Sequence, residues 1–298
     1  MNVKLAVVGA GAIGSLVAAK LVEAGHEVLI HTRGDHGAEM ALNGLEIKGS
    51  WIRKITPSEW FVSLDEVDFP PELAGYFDQA IITGKSKDTE KLCHIAKFFT
   101  NGPVLSLQNG LGNLEILKEY FFENSAVGVT TNAVTKTSPG QINWVSEGNL
   151  LVSGPKGKQF ENSLRSLGAE YYENHEEILW NKLLINVAIN PIAAICSVKN
   201  GELASEPLLS QCESIMLEAA NIGRLSGVNI LDDLELVELL HKVIDDTSDN
   251  VCSMLSDVKA GRETEIDMLC GQVVHRGEKL GVPTPLNSML LGQIKSLR

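Results

Sequence analysis

The sequence has no excess of cations, no paired-cysteine spacing and no long apolar segment, and each lack closes off a class of function. Acidic residues outnumber basic ones 38 to 25, giving a formal net charge of -13. Nucleic acid and anionic membrane surfaces both call for a basic partner, so neither is expected here. The same imbalance means that an anionic substrate would need basic residues gathered locally in a cleft. Cysteines number five (Cys93, Cys196, Cys212, Cys252 and Cys270), an odd count with no C-x-x-C pair. That spacing supports neither a disulfide framework nor a zinc site, and no metal is expected; reduced thiols in a cytoplasmic protein are the simpler reading. No segment approaches the roughly 20 apolar residues of a bilayer span. The first apolar run, residues 5–8, meets glycine at once, whereas a signal peptide would need a longer apolar stretch and a cleavage site. Internal repeats and low-complexity stretches are absent as well.

What is present is an ordinary globular composition, 44% hydrophobic and 21% charged over 298 residues, enough for two domains each with its own core. The first half alternates strand-like and helix-like segments. Residues 3–8, 27–31, 79–83, 103–107, 126–131 and 149–153 read as short buried strands, and 12–24 and 88–99 as helices. That alternation predicts an α/β domain with a parallel sheet covered on both faces. Strand signals fade from about Glu176, and helical periodicity takes over at 179–189, 208–225, 234–247 and 251–280. We place the boundary in the polar stretch 172–175, giving an α/β domain over 1–173 and an all-helical domain over 174–298.

Gly9-Ala10-Gly11-Ala12-Ile13-Gly14 is a G-x-G-x-x-G motif that follows a strand pattern and opens a helix pattern, the setting in which it binds a dinucleotide. Gly9 allows the tight turn, Gly11 lets a pyrophosphate approach the backbone, and Gly14 lets helix and strand pack closely. The pyrophosphate would sit at the helix N-terminus, where N–H groups lack partners. The bland alternative is a glycine-rich turn without a ligand. The second strand ends His31-Thr32-Arg33-Gly34, with no carboxylate where an NAD site usually carries one; Arg33 can pair with a 2′-phosphate, which favours NADP(H), although Asp35 stands close by. Lys85 follows the strand at 79–83 and is placed for a phosphate or a substrate carboxylate. Asn109-Gly110 follows the strand at 103–107, either as a functional loop or as a simple turn pair.

The segment from Trp180 to Pro191 spaces Lys182, Asn186 and Asn190 at i, i+4 and i+8 on one helix face, while almost every other side chain between them is apolar. Two readings stand: a narrow solvated stripe, or a general acid at the mouth of a cleft between domains. Read as one continuous helix, 251–280 adds a second stripe of Asn250, Ser253, Asp257, Gly261 and Glu265, again either a solvated face or a surface for a small polyfunctional acid.

These pieces together resemble the ketopantoate reductase (2-dehydropantoate 2-reductase) family along the whole chain. The matching runs are the glycine motif, Arg33, Lys85, Gln108-Asn109-Gly110, W-x-K-L-L-x-N-x-x-I-N-P, Asn200-Gly201-Glu202-Leu203, Ser253-Met254-Leu255-x-Asp257 and Thr264-Glu265-Ile266-Asp267. The resemblance implies a Rossmann dinucleotide-binding domain followed by a helical substrate domain, as in the 6-phosphogluconate dehydrogenase-like group. It implies NADPH-dependent reduction of ketopantoate to pantoate on the way to pantothenate and coenzyme A, in the cytoplasm, with a homodimer kept open. It also implies roles: Lys182 as proton donor, Glu265 assisting it, Asn109 and Asn186 positioning the reacting groups or cofactor, Asn190, Asn250 and Ser253 contacting substrate, and Arg33 and Lys85 in the cofactor site. Cys270 departs from the family, which often carries Asn there. The alternatives are a reductase of another 2-keto acid on the same scaffold and a non-catalytic NADP(H)-binding regulator.

Overall fold

The computed structural model describes residues 2–297. It divides into two compact units: the first runs to Gln108 and resumes at Asn113–His175, and the second takes Asn109–Gly112 and everything from Glu176 onward.

The first unit contains, in order, β1 (Lys4–Val8), α1 (Ala12–Glu23), β2 (Glu27–Thr32), α2 (Gly34–Leu42), β3 (Leu45–Gly49), β4 (Arg53–Ile55), β5 (Phe61–Leu64), β6 (Gln79–Ile82), α3 (Thr89–Phe99), β7 (Val104–Ser106), α4 (Asn113–Phe121), β8 (Ser125–Thr130), β9 (Ala133–Ser138), β10 (Gln141–Ser146), β11 (Leu150–Ser153), α5 (Gly157–Ser163) and β12 (Ala169–Tyr171). Eight strands form a Rossmann-like sheet in the order β12-β11-β8-β7-β6-β1-β2-β5, parallel except where β11 meets β8. Strand periodicity sorts the core into two layers. Leu5, Val7, Val28, Ile30, Ile81 and Leu105 pack with Leu16, Val17 and Leu21 of α1, while Ala6, Val8, Leu29, Ala80, Ile82 and Val104 pack with Leu92, Ala96 and Phe99 of α3. The sequence reading missed a second sheet, β4-β3-β10-β9, whose Ile47, Ile55, Ile142 and Trp144 share the α1 layer. The pairing of β9 with β10 is bulged, and no residue of β9 is fully buried, which weakens the periodic signal there.

The register of the large sheet places the site. His31, Val8, Ile82 and Ser106 lie on one row across β2, β1, β6 and β7. The loops that follow these strands therefore leave the sheet together at its carboxyl edge, where open α/β sheets bind ligands.

The second unit is helical: α6 (His175–Cys196), α7 (Leu208–Leu225), α8 (Asp233–Asp246), α9 (Ser253–Lys259), α10 (Cys270–Leu280) and α11 (Pro285–Ser296). Three sequence expectations change here. The stretch 251–280 is not one helix: α9 ends at Lys259, Gly261 takes a left-handed φ of 62°, and α10 begins only at Cys270. The second polar stripe, counted as helical, therefore has no continuous helix to lie on. The helix α11 went unread. And α6, at 22 residues, is long and apolar enough to cross a bilayer by length and composition, against the expectation that no segment comes near; two-thirds of its most apolar stretch is buried inside the structure, as in a core helix. Leu183, Leu184, Val187 and Ala188 of α6 share one core with Ile215 and Met216 of α7, Leu240 of α8 and Leu290 of α11.

Candidate active site

The three glycines of the motif stand in different steric settings. Gly9 has φ 103°, and a Cβ there would run into the backbone of Gly84. A Cβ at Gly14 would strike the Thr83 hydroxyl and the Gly9 carbonyl, so only glycine lets α1 come this close to the strands. A Cβ at Gly11 would meet nothing within 4 Å: there is open space over the backbone. Gly11 is also the N-cap of α1 and has no side chain, so the first turn is left without a side-chain cap. The residues present fit a dinucleotide pyrophosphate. Thr83 Oγ1 donates to the Gly9 carbonyl at 2.7 Å and fixes the turn, while Ala10 N–H is tied to the His31 carbonyl at 3.2 Å. Ala12 and Ile13 lie in the first turn of α1.

Arg33 is the N-cap of α2 and half of the pair Arg33 Nη2–Asp88 Oδ2 at 3.1 Å. Behind it, the buried His36 accepts from Gly140 N–H at 3.0 Å and meets Ser15 Oγ at 3.1 Å, tying α2 to α1 and to the β9–β10 turn. Burial pushes the His36 imidazole down to about 4, so it is neutral at pH 7. Lys85 is half-buried on the loop after β6. The sequence reading assigned no role to Gln108; its Nε2 donates to the carbonyls of Gly84 and Lys85 at 3.1 and 3.2 Å and so holds the Lys85 loop.

The second unit gathers the other candidates. Asn109, Asn186, Asn190, Ser253, Asp257 and Glu265 line one cavity together with Met254 and Leu269. Lys182 Nζ donates to Asn109 Oδ1 at 2.7 Å, and Asn109 Nδ2 donates to Glu265 Oε2 at 3.2 Å. The carboxylate can only accept, so it turns the amide's oxygen toward the lysine. Desolvation pulls the Lys182 ammonium down to about 8 despite the opposing pull of Glu265. Most of it is still protonated at pH 7, but it gives up its proton far more readily than an ordinary lysine.

Sequence spacing alone could not show how these segments meet. Leu111, 3% exposed, sits in the core of the second unit and anchors the loop Asn109–Gly112. Its N–H bonds the Met268 carbonyl, and Gly110, with φ 85°, passes too close to Met268 for any Cβ. Cys252 caps α9 by accepting from Leu255 N–H at 3.4 Å, and its thiol donates to the Asn190 carbonyl at 3.7 Å, pinning α9 beside α6. Asp257 is buried but ion-paired with Arg262 at 3.0 Å, so it does not present an unbalanced charge to an anion. Asn250 does not line this cavity with the others; its backbone carbonyl accepts from Asn200 N–H at 3.0 Å, docking the turn at Asn200–Ala204. Cys270 is fully buried and its thiol is pushed up to about 12, which makes it a packing residue rather than a nucleophile.

Residues 5–156 match the family ketopantoate reductase PanE/ApbA, and residues 174–298 match ketopantoate reductase PanE/ApbA C terminal. The chain belongs to the ketopantoate reductase family. It is 33% identical to the 2-dehydropantoate 2-reductase of Pyrococcus horikoshii, over 98% of this chain and 97% of that protein. It is 32% identical to that of Archaeoglobus fulgidus, over 99% and 97%. Among solved structures, a PanE/ApbA family ketopantoate reductase from Ralstonia eutropha JMP134 superposes with a TM-score of 0.87 at 28% identity, covering 99% of this chain and 98% of that one. A ternary structure of D-mandelate dehydrogenase with NADH and anilino(oxo)acetate superposes with a TM-score of 0.89 at 25% identity, covering 99% and 97%. Ketopantoate reductases are dinucleotide-dependent reductases of a small keto acid, and both units of this chain fall within that family.

Proposed function

We propose that this chain reduces 2-dehydropantoate to pantoate with NADPH, in the pathway to pantothenate and coenzyme A. The observation that carries the reading is the Lys182–Asn109–Glu265 relay beside a cavity of amides and a hydroxyl. When bound, the dinucleotide supplies a hydride to the 2-keto carbon. Lys182 stabilises the charge that develops on the carbonyl oxygen and donates the proton, a contribution of about 10²–10⁴-fold for a positioned general acid. Asn109 aims the ammonium, and Glu265 fixes Asn109. Asn186, Asn190 and Ser253 offer hydrogen bonds to the acid's carboxylate and hydroxyl groups, with Asn250 as a further substrate contact beyond the cavity lining. Gly9 through Gly14 hold the pyrophosphate, while Arg33 and Lys85 favour the 2′-phosphate of NADP(H). The absence of a carboxylate at the end of β2 supports that preference. Five cysteines free of disulfides support a reducing, cytoplasmic setting.

The test is NADPH oxidation with ketopantoate. Lys182→Ala should lower turnover by about two orders of magnitude or more while NADPH binding stays the same; unchanged turnover would end the proposal. The likeness to a D-mandelate dehydrogenase favours one second reading, a reductase of another 2-keto acid. A panel of keto acids compared by kcat/KM separates the two.

A further inference from the structure

The donors at the end of β2 are already occupied by carboxylates from other parts of the first unit. Strand β5 lies beside β2 with Leu64 opposite Thr32, so the residues after both strands emerge side by side. Asp65 N–H bonds the Thr32 carbonyl at 2.9 Å, and the next residue, Glu66, accepts from Gly34 N–H at 2.9 Å through Oε1. Gly34 is the first residue of α2, so Glu66 lies where helix geometry favours an anion. Arg33 in turn donates to Asp88. Asp65 is committed elsewhere: Lys91 at 2.5 Å and His31 at 3.6 Å hold it, and it stays ionised. Glu66, by contrast, is exposed and is bonded to a neutral N–H rather than to a cation.

A 2′-phosphate brought to Arg33 would meet Glu66 on the helix N–H and Asp88 on the guanidinium, two like charges against it. A ribose carrying a 2′-hydroxyl would find the opposite. NAD sites place a carboxylate at this point to accept that hydroxyl, normally from the end of β2 itself. Here a carboxylate reaches the same place from the neighbouring strand.

We propose that Glu66 is a specificity-determining residue that works against Arg33: it accepts the ribose 2′-hydroxyl of NAD(H) and must leave Gly34 N–H when a 2′-phosphate binds. The chain then uses both dinucleotides, with Arg33 and Glu66 setting the ratio. The inference rests on the NADP(H) reading of Arg33 above.

Glu66→Gln keeps an oxygen for Gly34 N–H and removes the charge. Dissociation constants for NADPH and NADH, measured by calorimetry on the full chain and on Glu66→Gln and Arg33→Ala, decide the matter. Glu66→Gln should tighten NADPH and weaken NADH, shifting their ratio by about tenfold toward NADPH. Arg33→Ala should shift it by at least about tenfold the other way. If Arg33→Ala responds and Glu66→Gln leaves the ratio within about twofold, Glu66 has no such role and this inference is overturned. If neither variant moves the ratio, the NADP(H) reading falls and takes this inference with it.

Discussion

The glycine-rich turn of the first unit and the polar cavity of the second are built by opposite means. The turn is backbone: six consecutive residues, with two glycines that exclude a Cβ and one that leaves space open. The cavity is side chain: α6, α9, the approach to α10 and a four-residue loop each contribute a group. A backbone site tolerates change only where nothing is packed, whereas a side-chain site can be dismantled one group at a time without disturbing the fold.

That contrast breaks most severely at Gly9. Gly9→Val would force a Cβ into Gly84 at a left-handed φ. NADPH affinity should fall by more than about a hundredfold and thermal stability should drop with it, because backbone strain and overpacking cost about 1–3 kcal/mol each. Retained stability would mean that the turn is more pliant than its geometry implies. Gly11→Ala sharpens the same point, since its Cβ enters open space: the melting temperature should hold while cofactor affinity falls.

In the cavity, Asn109→Ala should lower turnover by about tenfold to a hundredfold with the melting temperature nearly unchanged, since it removes the group that aims Lys182. Loss of folding instead would make Asn109 a structural part of the loop. The pH profile gives a subtler test. Burial pulls the Lys182 ammonium down to about 8, and its proposed role is that of the acid. Reduction should run at a plateau below that pH and fall as pH rises through it, about tenfold per unit once the ammonium is lost. Asn109→Asp places a carboxylate beside the ammonium and should move the break upward. A break that does not move would separate Lys182 from the titrating group.

The same contrast decides what the sequence could reveal. Gly9, Gly11 and Gly14 were legible because one continuous segment carries the whole device, and β1, β2, β6 and β7 because buried parallel strands are uninterrupted apolar runs. The stripe on α6 was legible because Lys182, Asn186 and Asn190 are evenly spaced in a stretch, 182–190, whose other side chains are all apolar. The second stripe was half right: Ser253 and Asp257 share a face of α9 by helical spacing, but Glu265 joins them at the cavity only after the break at Gly261. Leu111 gave no signal, since nothing local says that a leucine after Asn-Gly packs into a core formed by residues more than sixty positions later. Glu66 was invisible for the same reason, being brought to Gly34 only by the pairing of β5 with β2.

The excursion of Asn109–Gly112 has a consequence for how the chain can be taken apart. It enters the helical unit, leaves Leu111 in that core, and returns at Asn113 to start α4. The two units are thus stitched at three points along the backbone, and severing the chain after His175 undoes only one of them. A polypeptide beginning at Glu176 would inherit the lysine but not the amide it donates to, and would carry a hole where Leu111 belongs. Inheritance of the two halves as independent modules is therefore closed to this architecture: the helical unit is complete only while it holds four residues that come from the middle of the other unit's sequence.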